Sequence, residues 1–400
     1  MSVSEVSTVE LPADNLPAVI PLPEPLAVIP LEEPARPGLI RRAWNGVCSV
    51  CEWLFGMVCL IFGLAILAAI PILGFISLGY LLEAGGRIAR TGRLRDGFFG
   101  MRQAARAGSI VIGSYLMLLP LTLVSSIAFD ARLIDATGKV ARNWRLALTI
   151  LTVVMVVHIV ATVSRGGKLR HFLWPFNLLW LLRRLWRGGY FAEARDAVWD
   201  FAAGMRLPYF FSLGLRGFAG AFVWLAIPIS LIAAGRALPL VGFLGAFLLA
   251  WVLLYVPFLQ MRFAAENRFA ALFERRAIRA LYQQAPWAFA FALFITLLFA
   301  VPVYLLKIEI VPREAAWLPG LFFIVSIFPA RILSGWAYAR ALRHPEPRHW
   351  FFRWTGRLWM LPVALMYVVI VFFTQYTSWS GIYSLYEQHA FLLPVPFVGM

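Results

Sequence analysis

The chain is poor in charge and poorest in acid. Only 14% of its 400 residues are charged, with 20 Asp and Glu against 36 Lys and Arg, and 61% are hydrophobic. Soluble domains carry about 25% charge, so a water-soluble globular protein is excluded at the outset. Cysteine is scarce too. The three present, Cys48, Cys51 and Cys59, lie together at the first hydrophobic segment and cannot form a disulfide framework. The first thirty-five residues lack Lys and Arg, and proline interrupts their apolar stretches. No cleavable signal peptide is therefore expected, and insertion falls to the first true hydrophobic run. Phosphate-binding GxxxxGK[ST], nucleophile-elbow GxSxG and zinc-binding HExxH patterns are all missing. No metal, cofactor or catalytic set is expected, and the chain does not read as an enzyme.

What is present is a series of long apolar runs, charge-free but for Arg331 in the seventh. They lie near 53–82, 109–129, 146–164, 217–235, 237–261, 287–306, 315–339 and 358–378. A bilayer core needs about 20 apolar residues at 1.5 Å per residue. The expected fold is all-α, a polytopic bundle of about eight transmembrane helices occupying residues 41–400. The run at 315–339 contains Arg331, whose long side chain is expected to snorkel outward. The first run is too long for one straight helix, and Pro71, Gly74 and Gly79 offer a place to bend back.

Charge alternates between the loops. Residues 83–106, 165–216, 262–279 and 331–357 carry six, nine, five and six basic residues against one to three acids each, while the loops at 236–239 and 307–314 are lean, with Arg236 alone in the first and two bases balanced by two acids in the second. This is the positive-inside pattern and places the basic loops in the cytoplasm. Residues 1–40 form a Pro-rich acidic tail with a near-repeat, 17–25 and 26–34. Spaced prolines favour polyproline II. The tail reads first as a solvated, disordered segment and second as a docking strip for a protein partner.

Two basic connectors carry their own pattern. Phe191, Ala194, Val198, Phe201 and Met205 recur at helical spacing, and Trp174, Trp180 and Trp186 accompany Arg183, Arg184 and Arg187. Indole at headgroup level and guanidinium near phosphate are the chemistry of an amphipathic interfacial helix. Arg87, Arg90, Arg93, Arg95, Arg183, Arg184 and Arg187 are thus expected to contact anionic lipid. No nucleic-acid partner is expected.

No Asp or Glu falls within a run, which disfavours carboxylate-coupled transport. His158 is the one ionisable residue well inside a run, and is expected to be a neutral imidazole bonded between helices rather than a proton relay. Cys48-Ser-Val-Cys51 lacks the further ligands of a metal site. Glu193, Asp196 and Asp200 share a helical face but have basic neighbours to pair with. Gly214, Gly217, Gly220 and Ala221 are expected to pack against Gly242, Gly245 and Ala246, as small residues do between helices in lipid.

The segments Leu-Gly-Tyr-Leu-Leu-Glu-Ala-Gly-Gly-Arg (78–87), Met-Arg-Phe-Ala-Ala-Glu-Asn-Arg-Phe (261–269), Lys-Ile-Glu-Ile-Val-Pro-Arg-Glu-Ala-Ala-Trp (307–317) and His-Ala-Phe-Leu-Leu-Pro-Val-Pro-Phe (389–397) resemble an uncharacterised family of bacterial multi-pass membrane proteins carrying a domain of unknown function. The resemblance implies a bacterial cytoplasmic-membrane location and brings no activity with it. The leading expectation is a non-enzymatic membrane scaffold or envelope protein contacting anionic lipid. The alternative is a transporter or lipid-handling permease without carboxylate coupling.

Overall fold

The computed structural model describes residues 39–174, 176–305, 317–377, 381–386 and 391–392. Residues 1–48 form one unit and 49–400 another, which contains the membrane bundle. The Pro-rich repeat and the segment 389–390 and 393–397 of the last quoted motif lie outside the described residues, as does 307–316.

Among the described residues every regular element is helical. Helix α1 (Leu39–Ala69) stops two residues short of Pro71, and α2 starts at Gly74 and runs to Thr91. Proline lacks an amide and disfavours α geometry in the residue before it, so the 30-residue run breaks here. The two helices fold back on each other. Ser77 Oγ donates to the Leu64 carbonyl at 2.7 Å, and Phe55 and Arg87, equally far from the break, line one cavity. Gly92, at φ +69°, ends α2 as a left-handed cap and donates to the Ile88 carbonyl at 2.7 Å.

Helices α3 (Met101–Ile134) and α4 (Lys139–Ser164) form a long hairpin. Asp135 closes its turn by accepting from the Thr137 and Gly138 amides. Short α5 (Leu169–Phe172), α6 (Asn177–Trp186) and α7 (Tyr190–Gly204) follow, then α8 (Leu207–Ala234). Next come α9 (Pro239–Leu253) and α10 (Val256–Glu266), together one apolar stretch, and α11 (Arg275–Gln284), bent 114° from α12 (Pro286–Leu305). Helices α13 (Trp317–Leu342) and α14 (Trp350–Thr377) complete the bundle.

Among the described residues, seven helical stretches are long and apolar enough to cross a membrane, or eight if the bent α11–α12 pair counts as one. Their outward residues are aliphatic and aromatic. Val111, Val153, Phe243 and Leu365 each leave more than half their surface open, which is tolerable only where lipid replaces water. The chain is a multi-pass helical membrane protein.

The central helix is α2. Fourteen of its 18 residues are buried, and α8, α10 and α13 pack around it. Glycine makes this possible. A Cβ on Gly79 would lie 1.8 Å from the Phe210 carbonyl oxygen, and one on Gly214 would lie 1.9 Å from that of Phe75. Here the sequence expectation is corrected. Gly214, Gly217 and Gly220 face Phe75, Leu82 and Leu272 rather than α9, and α9 meets α8 further along, through Gly242 on Gly235 and Gly245 on Ile232. The stripe was assigned to its neighbour in sequence, but the narrowest gap is at the central helix, where backbones must approach from several sides.

The four basic connectors gather at one end of the bundle. At one end Arg343 donates to the Gly92 carbonyl (2.9 Å), Arg90 to that of Ala264 (2.8 Å) and Gln284 to that of Pro345 (3.1 Å). These bonds tie the basic loops together. At the other end the lean α8–α9 loop lies against the end of α14, with Arg236 donating to the Gln375 carbonyl at 3.0 Å.

Candidate functional site

Three polar features stand out against the apolar bundle. The first is Glu83, in the third turn of α2. Its side chain is 4% exposed, and one oxygen accepts from Arg87 Nε at 2.9 Å and from an Arg90 terminal nitrogen at 2.8 Å. The Tyr209 hydroxyl donates to the other oxygen at 2.8 Å. A buried carboxylate is stable only when paired and fully bonded, and here α2 and α8 supply the partners. The expectation that no acid falls within a charge-free run concerned the runs alone, and Glu83 lies one residue beyond the first of them. The charge-free run ended at Leu82, but the helix continues for nine residues beyond it. The spacing from Glu83 to Arg87, one helical turn, was the available signal.

The second feature is Arg331, on α13. It is 2% exposed and donates to Gln260 Oε1, while Gln260 Nε2 donates to the Phe391 carbonyl at 2.9 Å. Snorkelling was the expectation. The guanidinium instead turns inward, because α10 offers a side-chain amide at the same depth.

The third is a cavity of about 760 Å³ between α1, α2, α3 and the start of α8. Its lining is mostly apolar, with Leu64, Ile76, Tyr80 and Phe210 at its buried wall. Its charged and amide side chains are Arg87, Arg206 and Gln103, all at the basic end, while the Tyr80 hydroxyl in its wall is bonded to the Phe99 carbonyl. Arg87 lies over the Phe99 ring at 3.8 Å and Arg206 over that of Tyr209 at 4.6 Å. Stacking on an aromatic face leaves a guanidinium's in-plane donors open to a ligand.

The seven arginines proposed for lipid contact separate into two groups. Arg87 and Arg90 are held by Glu83, and Arg184 pairs with Glu193. Arg93 and Arg95 are exposed, Arg95 lying 3.8 Å from Asp96. Arg183 and Arg187 are exposed and have no carboxylate partner among the described residues. With Trp180, Tyr190 and Ser164 they line a second, smaller cleft of about 400 Å³. Helix α7 beside it has no buried residue, and Trp186 and Phe191 are 92% and 79% exposed.

His158 Nε2 is 3.0 Å from the Phe172 carbonyl oxygen and lines neither cavity. Phe172 in turn sits against Gly113, so this contact fastens α5 across the α3–α4 hairpin. Nearby, Asn177 accepts from Arg165 at 3.0 Å and donates to Thr162 Oγ1 at 3.0 Å. Burial, reinforced by the positive charges of Arg165, Arg170 and Lys168, holds the His171 imidazole below its ordinary pKa. The three cysteines are free thiols, and no three His, Cys, Asp or Glu side chains converge among the described residues.

Fold and polar features together define a polytopic helical membrane protein with one large cation-edged cavity. No protein-family model matches the chain, nor does any curated protein or solved structure.

Proposed function

We propose that this protein is a non-enzymatic scaffold of the bacterial cytoplasmic membrane whose basic end engages anionic lipid of the cytoplasmic leaflet. The observation that carries this reading is the α6–α7 connector. It offers exposed Trp186 and Phe191 together with two guanidinium groups, Arg183 and Arg187, that have no carboxylate partner among the described residues. In water such a surface would be a liability; at a headgroup layer each part has a counterpart. The gathering of the four most basic connectors at one end supports the orientation. The α1–α2 hairpin is consistent with it, since it brings Arg87 back to the level of Phe55.

Each basic side chain near an anionic surface contributes about 1 kcal/mol, screened over a Debye length. The relevant set is Arg93, Arg95, Arg183 and Arg187, because Arg87 and Arg90 serve Glu83. Replacing these four by Gln should leave stability in zwitterionic lipid unchanged. It should reduce the salt-dependent extra thermal stability that the wild type gains in anionic lipid. Equal stability of the wild type in both lipids would overturn the reading. A second reading, a lipid-handling permease, is favoured by the apolar cavity.

A further inference from the structure

We propose that the α1–α2–α3–α8 cavity is a binding site for a single anionic phospholipid, with an acyl chain inside and the phosphate at Arg87, Arg206 and Gln103. The inference rests on the chain lying in a bilayer but not on the α6–α7 connector.

The shape matches an amphiphile. Between Ile76 and Arg87, both of which line the cavity, α2 advances roughly 16 Å at 1.5 Å per residue. Over that distance the lining changes from wholly apolar to cationic. The volume of about 760 Å³ is within the usual range for ligand sites, roughly 300–1,000 Å³. Its apolar end approaches the α1–α2 turn, where Leu67 and Ile76 face each other across the hairpin.

The charge matches an anion rather than a zwitterion. Arg206 has no carboxylate partner among the described residues, and Arg87 gives Glu83 only its Nε, keeping both terminal nitrogens available. Gln103 donates one amide bond to the Gly204 carbonyl at 3.2 Å, and its oxygen has no bond among the described residues. Helices α3 and α8 both begin at this end, with Gly100 and Leu207 in the lining, so two positive helix termini point the same way. Glu83 lies behind Arg87, not in the lining, and fixes the guanidinium through Nε. Two guanidinium groups supply the planar forks that hold phosphate.

Two variants separate the headgroup from the chain. Arg206→Gln removes a cation that makes no ion pair. Gly63→Phe places a ring in the cavity from α1, at a position where a Cβ meets nothing within 4 Å. Gly63→Leu replaces it if the Phe variant does not fold. The purified full chain in detergent is delipidated and titrated with phosphatidylglycerol or phosphatidylcholine, and bound lipid is counted by native mass spectrometry. The wild type should retain one phosphatidylglycerol at least tenfold more strongly than phosphatidylcholine. Arg206→Gln should reduce that preference severalfold, and Gly63→Phe or Gly63→Leu should abolish retention of the tight lipid. The Arg183→Gln, Arg187→Gln double variant should keep it, which separates this site from the connector surface. No preference in the wild type, or unchanged retention in both Arg206→Gln and the Gly63 variant, would overturn the proposal.

Discussion

The crossing of α2 and α8 gives the sharpest test of how the bundle is held. At Gly79 and Gly214 an added Cβ would stand 1.8 and 1.9 Å from backbone carbonyl oxygens, where ordinary contact is 3.4–4 Å. Gly79→Ala therefore requires the helices to part by roughly 1.5 Å, in an interior packed as densely as a crystal. Overpacking usually costs 1–3 kcal/mol when a side chain can turn aside. A carbonyl oxygen in a helical ladder cannot turn aside, so a cost of about 3 kcal/mol or more is expected. Against this stands the helix preference of Ala over Gly, about 1 kcal/mol. The net expectation is a loss of at least about 2 kcal/mol for Gly79→Ala. Gly63→Ala, where nothing lies within 4 Å, should instead be neutral or slightly stabilising. Gly214→Ala should resemble Gly79→Ala. The double variant should cost less than the two losses combined, because the first methyl has already opened the shared contact. Thermal unfolding of the purified variants in one detergent measures all four. If Gly79→Ala and Gly63→Ala shift the midpoint alike, the close crossing is not the fastening proposed.

Two further substitutions address the polar groups. Glu83→Gln leaves Arg87 and Arg90 without their counter-charge and should cost roughly 2–4 kcal/mol, less than a fully buried pair because both guanidiniums are partly exposed. Tyr209→Phe removes one donor to the carboxylate but leaves its counter-charges in place, and should cost about 1.5 kcal/mol, the low end for a bond to a charged group. Equal losses by denaturation would refute the role of charge. His158→Gln can still reach the Phe172 carbonyl through its amide nitrogen and should change stability by less than about 1 kcal/mol. Loss of folded yield in that variant, measured by gel filtration in detergent, would show that the imidazole is required for more than this bond.

The helical elements were legible because their physics is local. Apolar runs of membrane length, Pro71 and the amphipathic spacing from Phe191 onward each act within a few turns, and α1, α2 and α7 follow from them. Burial by other parts of the chain is not local. The run that ended at Leu82 treated Glu83 as the start of a loop, because in lipid a carboxylate would end a span. Surrounded by α8 and α10, the same residue is an internal anchor. Arg331 was misplaced for the same reason: its partner, Gln260, lies 71 residues away and on another helix. The cavity is a further non-local feature. Arg87 and Arg206 are far apart in sequence and meet only because α2 and α8 cross at glycine.

The position of α2 has a consequence for the order of assembly. It has little to gain from lipid, being mostly buried by protein, with Glu83, Arg87 and Arg90 in its last three turns and glycine at 74, 79, 85 and 86. Its supports are α8, α10 and α13, which begin at residues 207, 256 and 317. When α2 leaves the ribosome, none of them exists. The hairpin with α1 can hold it in the meantime, but its charges find their permanent setting only after more than a hundred further residues have been made. The centre of this protein is therefore the part that waits longest for its environment. The setting of α2 is complete only once α8, α10 and α13 have all been made.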